Sequence, residues 1–138
     1  MKYITSIIPH EDQPYNTIAD WRFSADYKTC YINVSDMGDE VYHNALALHE
    51  KFEVMLLLQR MDAQAALMMV DAFDEAFEAA RPAGDPFDTE PGDDPKAPYR
   101  EEHCAATGVE RMYIAMSGRS WTEYENKMVE IMKTYAKK

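Results

Sequence analysis

Hydrophobic positions change their spacing near residue 37, which divides the chain into a strand-forming part and a helical part. Residues 3–8 alternate weakly and stop at Pro9, so they predict a short strand. His10 to Asn16 is polar and turn-like. Two β-prone runs follow, Thr17 to Phe23 and Thr29 to Val34, separated by the turn-rich stretch Ser24 to Lys28. That arrangement predicts a hairpin. Ser35-Asp36-Met37-Gly38-Asp39 supplies turn chemistry and a helix start, after which helical spacing takes over.

The helical part contains four segments. The first is expected from about Glu40 to Arg60 and the second from Asp62 to Ala80, with Val70, Phe73 and Phe77 on one face and Asp71, Asp74, Glu75 and Glu78 on a solvated one. Helix propensity collapses between Arg81 and Pro98, where five prolines and two glycines sit among Asp85, Asp88, Glu90, Asp93 and Asp94. A loop of that length without its own structure is usually functional or disordered. A third helix starts near Pro98 and runs to Ser117, with Gly118 as its stop. Ser120-Trp121-Thr122-Glu123 has the form of a capping box, and it opens a last helix with Trp121, Tyr124 and Met128 on its apolar stripe.

Segregated strands followed by helices predict an α+β domain: a small N-terminal antiparallel sheet packed on three to four helices, with a zincin-like core. All 138 residues fit a single domain. Its parts are a β-rich stretch (1–36), helices one and two (37–80), the acidic proline-rich loop (81–98) and helices three and four (99–138). The formal charge of −11 argues against nucleic-acid binding, which needs cations facing phosphates. No apolar run is long enough for a membrane span, and the N-terminal residues are too polar for a signal peptide. A cytoplasmic location is therefore expected. Cys30 and Cys104 lack metal-type spacing and are expected as free thiols.

Candidate chemistry concentrates in His49-Glu50-Lys51-Phe52-Glu53. This is the zincin pattern H-E-x-x-H with glutamate in the second histidine position. Residues three and four apart share a helix face, so His49, Glu50 and Glu53 project within an arc of roughly 100°. The neighbouring positions, Ala45 to Leu48 and Phe52 to Leu58, are apolar nearly all round, and Lys51 stands almost alone on the far side. Carboxylates carried into such a place cost several kcal/mol unless paired, protonated or metal-bound. Zinc accepts carboxylate oxygen as well as imidazole nitrogen, so His49 and Glu53 are expected as ligands. Glu50 then takes the general-base position and activates a metal-bound water.

A third ligand is required, and His103 on helix three is the candidate. Glu110 on the same face could orient an imidazole as an outer carboxylate. Tyr99, one turn before His103, could donate to an oxyanion. His10 and His43 are weaker candidates. A rival pattern joins Glu50-x-x-Glu53 to Asp71-x-x-Asp74. It resembles the carboxylate pairs of MazG and dimeric dUTPase-like nucleotide pyrophosphohydrolases, which implies magnesium and a nucleotide triphosphate. That likeness leaves His49 unexplained, and strands are foreign to an all-α family.

Taken together, Tyr15-Asn16-Thr17-Ile18-Ala19-Asp20-Trp21, Val34-Ser35-Asp36-Met37-Gly38-Asp39, the His49–Glu53 helix, Val70-Asp71-Ala72-Phe73-Asp74 and Pro91 to His103 resemble small uncharacterised bacteriophage and prophage proteins. The resemblance implies a phage context but no activity. Residues 17–60 are also similar to the minimal zincin core, a strand followed by an H-E-x-x-type helix. That second likeness implies a metal hydrolase, such as a peptidase, acting on a peptide or small-molecule substrate. The remaining expectation is a non-enzymatic phage protein that engages a host or phage partner.

Overall fold

Alternation along residues 29–35 places Cys30, Ile32 and Val34 on one face of a strand, and all three are fully buried. That strand is the centre of a three-stranded sheet in the computed structural model, which describes residues 1–136. The strands are β1 (Lys2–Ile8), β2 (Ala19–Phe23) and β3 (Thr29–Ser35), in the order β1-β3-β2. The helices are α1 (Glu40–Leu57), α2 (Ala63–Ala79), α3 (Arg100–Met116) and α4 (Trp121–Ala136). The domain is α+β.

The sheet is mixed and not wholly antiparallel as expected. β2 pairs antiparallel with β3 through a hairpin, whereas β1 runs parallel to β3 on its other side. The connection 9–18 makes this possible by arching over the end of β3. Gln13 donates its amide to Ser35 Oγ (3.1 Å) and to the Asn33 carbonyl (3.2 Å). His10 sits between Ser35 Oγ (2.8 Å) and Asn16 Oδ1 (2.9 Å), which gives this histidine a structural task. No hydrophobic period encodes such an arch.

Local signals account for the helix ends. Asp39 caps α1 by accepting from the Val41 amide, and Asp62 caps α2 by accepting from Ala65. Ser120 Oγ accepts from the Glu123 amide, one half of the capping box. Gly118, at φ +72°, supplies the left-handed residue that ends α3. His43 accepts from the Met37 amide at 2.8 Å and so secures the turn before α1.

α1 packs between the sheet and α3, burying Ala45, Leu46, Val54 and Leu57. Its apolar circumference is not wholly covered: Asn44, Leu48, Lys51 and Met55 form an exposed stripe. Lys51 lies over the Tyr3 ring, 4.9 Å from its centroid, at the rim of that stripe. On α4, Tyr124 is fully buried while Trp121 and Met128 are half-buried. No helix among the described residues is long and apolar enough to cross a membrane. Cys30 and Cys104 are free thiols.

Leu57 is fully buried where α1 ends in the core. Leu57→Ala should lower the unfolding free energy by about 2–5 kcal/mol, read from urea denaturation with an unchanged slope. A loss within error would mean that the core is organised elsewhere.

Candidate metal centre

Glu53 and His49 lie four residues apart on α1 and face His103 on α3. Glu53 Oε2 is 3.3 Å from His49 Nε2 and 3.1 Å from His103 Nδ1. The three residues are 5%, 5% and 6% exposed, so these are contacts inside the protein and not surface ion pairs. Ligand atoms 2.0–2.2 Å from a tetrahedral zinc stand roughly 3.3–3.6 Å apart, close to the spacing found here.

Each group is also held from behind. Glu53 Oε1 accepts from the Trp21 indole N–H at 3.1 Å. His49 Nδ1 lies 2.8 Å from Glu110 Oε1, and the other Glu110 oxygen accepts from the Tyr124 hydroxyl. His103 Nε2 lies 3.1 Å from Asp93 Oδ1 and 3.2 Å from Glu90 Oε2. Carboxylates facing the outward nitrogens of two imidazoles are what orients histidine toward a metal. The contacts at His49 Nδ1 and His103 Nε2 are nevertheless too poorly aligned to be hydrogen bonds, so both buried nitrogens remain unsatisfied.

Electrostatics in the cluster are strongly perturbed. Burial opposes charge on His49, yet Glu110 and Glu53 outweigh it and hold its pKa well above the usual value. His103 is raised in the same way, with burial overcome by Asp93, Glu53 and Glu90. Glu53 falls to about 2, because the two imidazoles outweigh its burial. Two buried carboxylates, Glu53 and Glu110, thus face the two imidazoles, and the cluster favours positive charge at its centre. Mixed nitrogen and oxygen donors of this kind fit a divalent transition metal.

Glu50, next along α1, lines the same cavity, whose volume is about 540 Å³. Its carboxyl makes no hydrogen bond among the described residues. Burial and the Glu53 charge push it well above the usual carboxylate range.

Tyr99 departs from its expected role. Its hydroxyl donates to Asp74 and is not free for an oxyanion. Asp71 and Asp74 also leave the solvated face predicted for them, since both are half-buried and line the cavity. Arg22 binds Asp20 and Asp71 at 2.7 Å each and ties the edge strand β2 to α2. His10 and His43 stay outside the cluster, engaged as described above.

Five contributors escaped the sequence reading: Trp21, Glu90, Gly92, Asp93 and Tyr124. A Cβ at Gly92 would sit 2.4 Å from His103 Cγ, so the loop backbone rests on the imidazole and only glycine fits. The one hint was Pro91-Gly92 amid acids in a long loop, which marks a turn without naming its partner.

Gly92→Ala should displace either the loop or the His103 ring, lowering stability by about 1–3 kcal/mol in urea denaturation. Unchanged stability would mean that the loop does not lean on His103. Asp74 gives a pH test. Burial raises its pKa from 3.8 to about 7, against the Tyr99 hydrogen bond and with help from Glu53, Asp71 and Asp20. The folded chain then binds this proton more tightly than the unfolded one, so stability falls as pH rises from about 4 to 7 and levels off above. Asp74→Asn should remove that fall, giving a variant that gains on the wild type across this window in chelator-treated protein. Parallel stability profiles would contradict the assignment. Comparison with protein-family models, curated proteins and solved structures returns no match, which leaves the chemistry of the site itself to carry the functional reading.

Proposed function

We propose that this chain is a zincin-like metal hydrolase, in which His49, Glu53 and His103 hold one zinc ion and Glu50 is the general base. The observation that carries this reading is the convergence of two imidazole nitrogens on one oxygen of a buried carboxylate, at 3.1 and 3.3 Å. When bound, zinc would supply Lewis acidity and bring the pKa of a water at its open position to about 7. Trp21 fixes the orientation of Glu53 by a hydrogen bond, and the Glu110 carboxylate, anchored by Tyr124, faces His49 Nδ1 at 2.8 Å. Glu50 projects into the cavity beside them; the charge of a bound metal would offset its raised pKa, and the carboxylate would then accept the proton of an attacking water and return it to the leaving group. The cavity has room for a peptide segment or a small molecule, and a phage or prophage setting in the cytoplasm is the context we infer.

One observation favours a second reading. Asp71 and Asp74 open on the same cavity as Glu50 and Glu53, the carboxylate set of a magnesium-dependent nucleotide pyrophosphohydrolase. Against it, Asp71 is engaged by Arg22 and Asp74 by Tyr99, and the imidazoles at the centre suit zinc better than magnesium. A third reading, an interaction protein with a structural cluster, predicts an inert chain.

Untagged protein should keep about one equivalent of zinc through dialysis. His49→Ala should lose this tightly held ion. Glu50→Gln should keep it and lose about 10²–10⁴-fold in hydrolysis of a peptide or ester panel. Wild-type turnover by Glu50→Gln would overturn the reading. Triphosphate hydrolysis with magnesium and no retained zinc would transfer it to the second.

A further inference from the structure

We propose that Glu90, Asp93 and His103 Nε2 form a second divalent-cation site at the mouth of the cavity, an outer station from which a transition metal passes to the inner site. Three potential ligand atoms converge there, with His103 Nε2 3.2 Å from Glu90 Oε2 and 3.1 Å from Asp93 Oδ1. His103 is 6% exposed, and its Nε2 is buried without a hydrogen bond. Its other nitrogen is engaged with Glu53 Oε2 at 3.1 Å. With the ring proton on Nδ1 and donated to Glu53, Nε2 presents only a lone pair. That lone pair and two carboxylates then face one point, an arrangement that a cation between them would satisfy.

The loop is shaped for this. The Asp93 amide donates to the Glu90 carbonyl at 3.1 Å, closing a turn that sets the two carboxylates side by side. Gly92, between them, rests against the imidazole. One imidazole and two carboxylates suit zinc, cobalt or manganese. The side chains of Glu90 and Asp93 are 52% and 57% exposed, so an ion held there exchanges readily with solvent. The inner donors are nearly sealed, and a metal needs a path to them. His103 belongs to both sets, Nε2 turned outward and Nδ1 inward, so the sites share a ligand and fill in turn. Passage inward rests on the zinc reading of the inner site; binding at the outer site does not.

Cobalt(II), followed by its visible absorption, separates the two. Wild-type protein should take up one tight equivalent. His49→Ala, with the inner site disabled, should still bind one weaker equivalent, and adding Glu90→Gln and Asp93→Asn should abolish it. In the chain with His49 intact, Glu90→Gln/Asp93→Asn should reach the same final tight stoichiometry about 10-fold more slowly or worse, because the acidic mouth no longer concentrates the ion. Both changes are isosteric at exposed positions, and unchanged thermal melting checks the fold. Cobalt binding by His49→Ala that survives the two loop substitutions, or its absence up to millimolar metal, overturns the outer site. Loading of the double variant at the wild-type rate overturns the passage. A weak equivalent in His49→Ala without a tight one in the wild type would uphold the outer site while removing the inner zinc.

Discussion

A single buried carboxylate, that of Glu53, sets the terms for the rest of the molecule. Taking an ionised carboxylate out of water costs several kcal/mol even after relaxation, and only opposite charge and well-placed donors return it. Glu53 draws these from three different elements: the Trp21 indole on β2, His49 on its own helix and His103 on α3. The sheet, α1 and α3 must therefore meet at one point. The hydrophobic core built from Ile32, Val34, Val54 and Leu57 supplies the energy that holds them together.

Satisfying Glu53 creates further demands that spread outward. Each imidazole has a second nitrogen, and each meets a carboxylate in turn: Glu110 for His49, and Glu90 with Asp93 for His103. Glu110 is anchored by the Tyr124 hydroxyl, which gives α4 a stake in the site, while Asp93 commits the loop before α3. The resulting polar chain runs from α4 through α3 and α1 to the loop. Such networks rigidify a core when every member is satisfied, and here the poorly aligned nitrogens mark where satisfaction is incomplete. Both nitrogens lie on the outward side of their rings, away from Glu53, so the shortfall sits in the contacts behind the cluster and not between its three members.

The carboxylates of α2 illustrate how position separates similar groups. Asp71 has a guanidinium at 2.7 Å and is balanced. Asp74, three residues on, has only the Tyr99 phenol, and burial dominates its titration. Both open on the cavity, yet neither joins the nitrogen-rich centre. The excess negative charge of the chain is thus partly local, gathered around the cavity.

Much of this was fixed by local chemistry in the sequence. The helices and strands follow from period, caps and breakers, because Asp39, Asp62, Ser120 and Gly118 act on backbone groups only a few residues away. Pairing His49 with Glu53 follows from helical geometry alone, and the apolar positions around them required that both be buried. What depended on tertiary structure were the relations between distant segments. The parallel placement of β1 rests on Gln13 and His10 bridging to Ser35, contacts that leave no periodic trace. The commitment of Tyr99 to Asp74 and the seating of Gly92 on His103 arise where two elements happen to close on one another. Helical spacing fixes which side chains share a face, but the partner across a gap is decided by packing of the whole chain, which minimises buried unpaired charge over all segments at once.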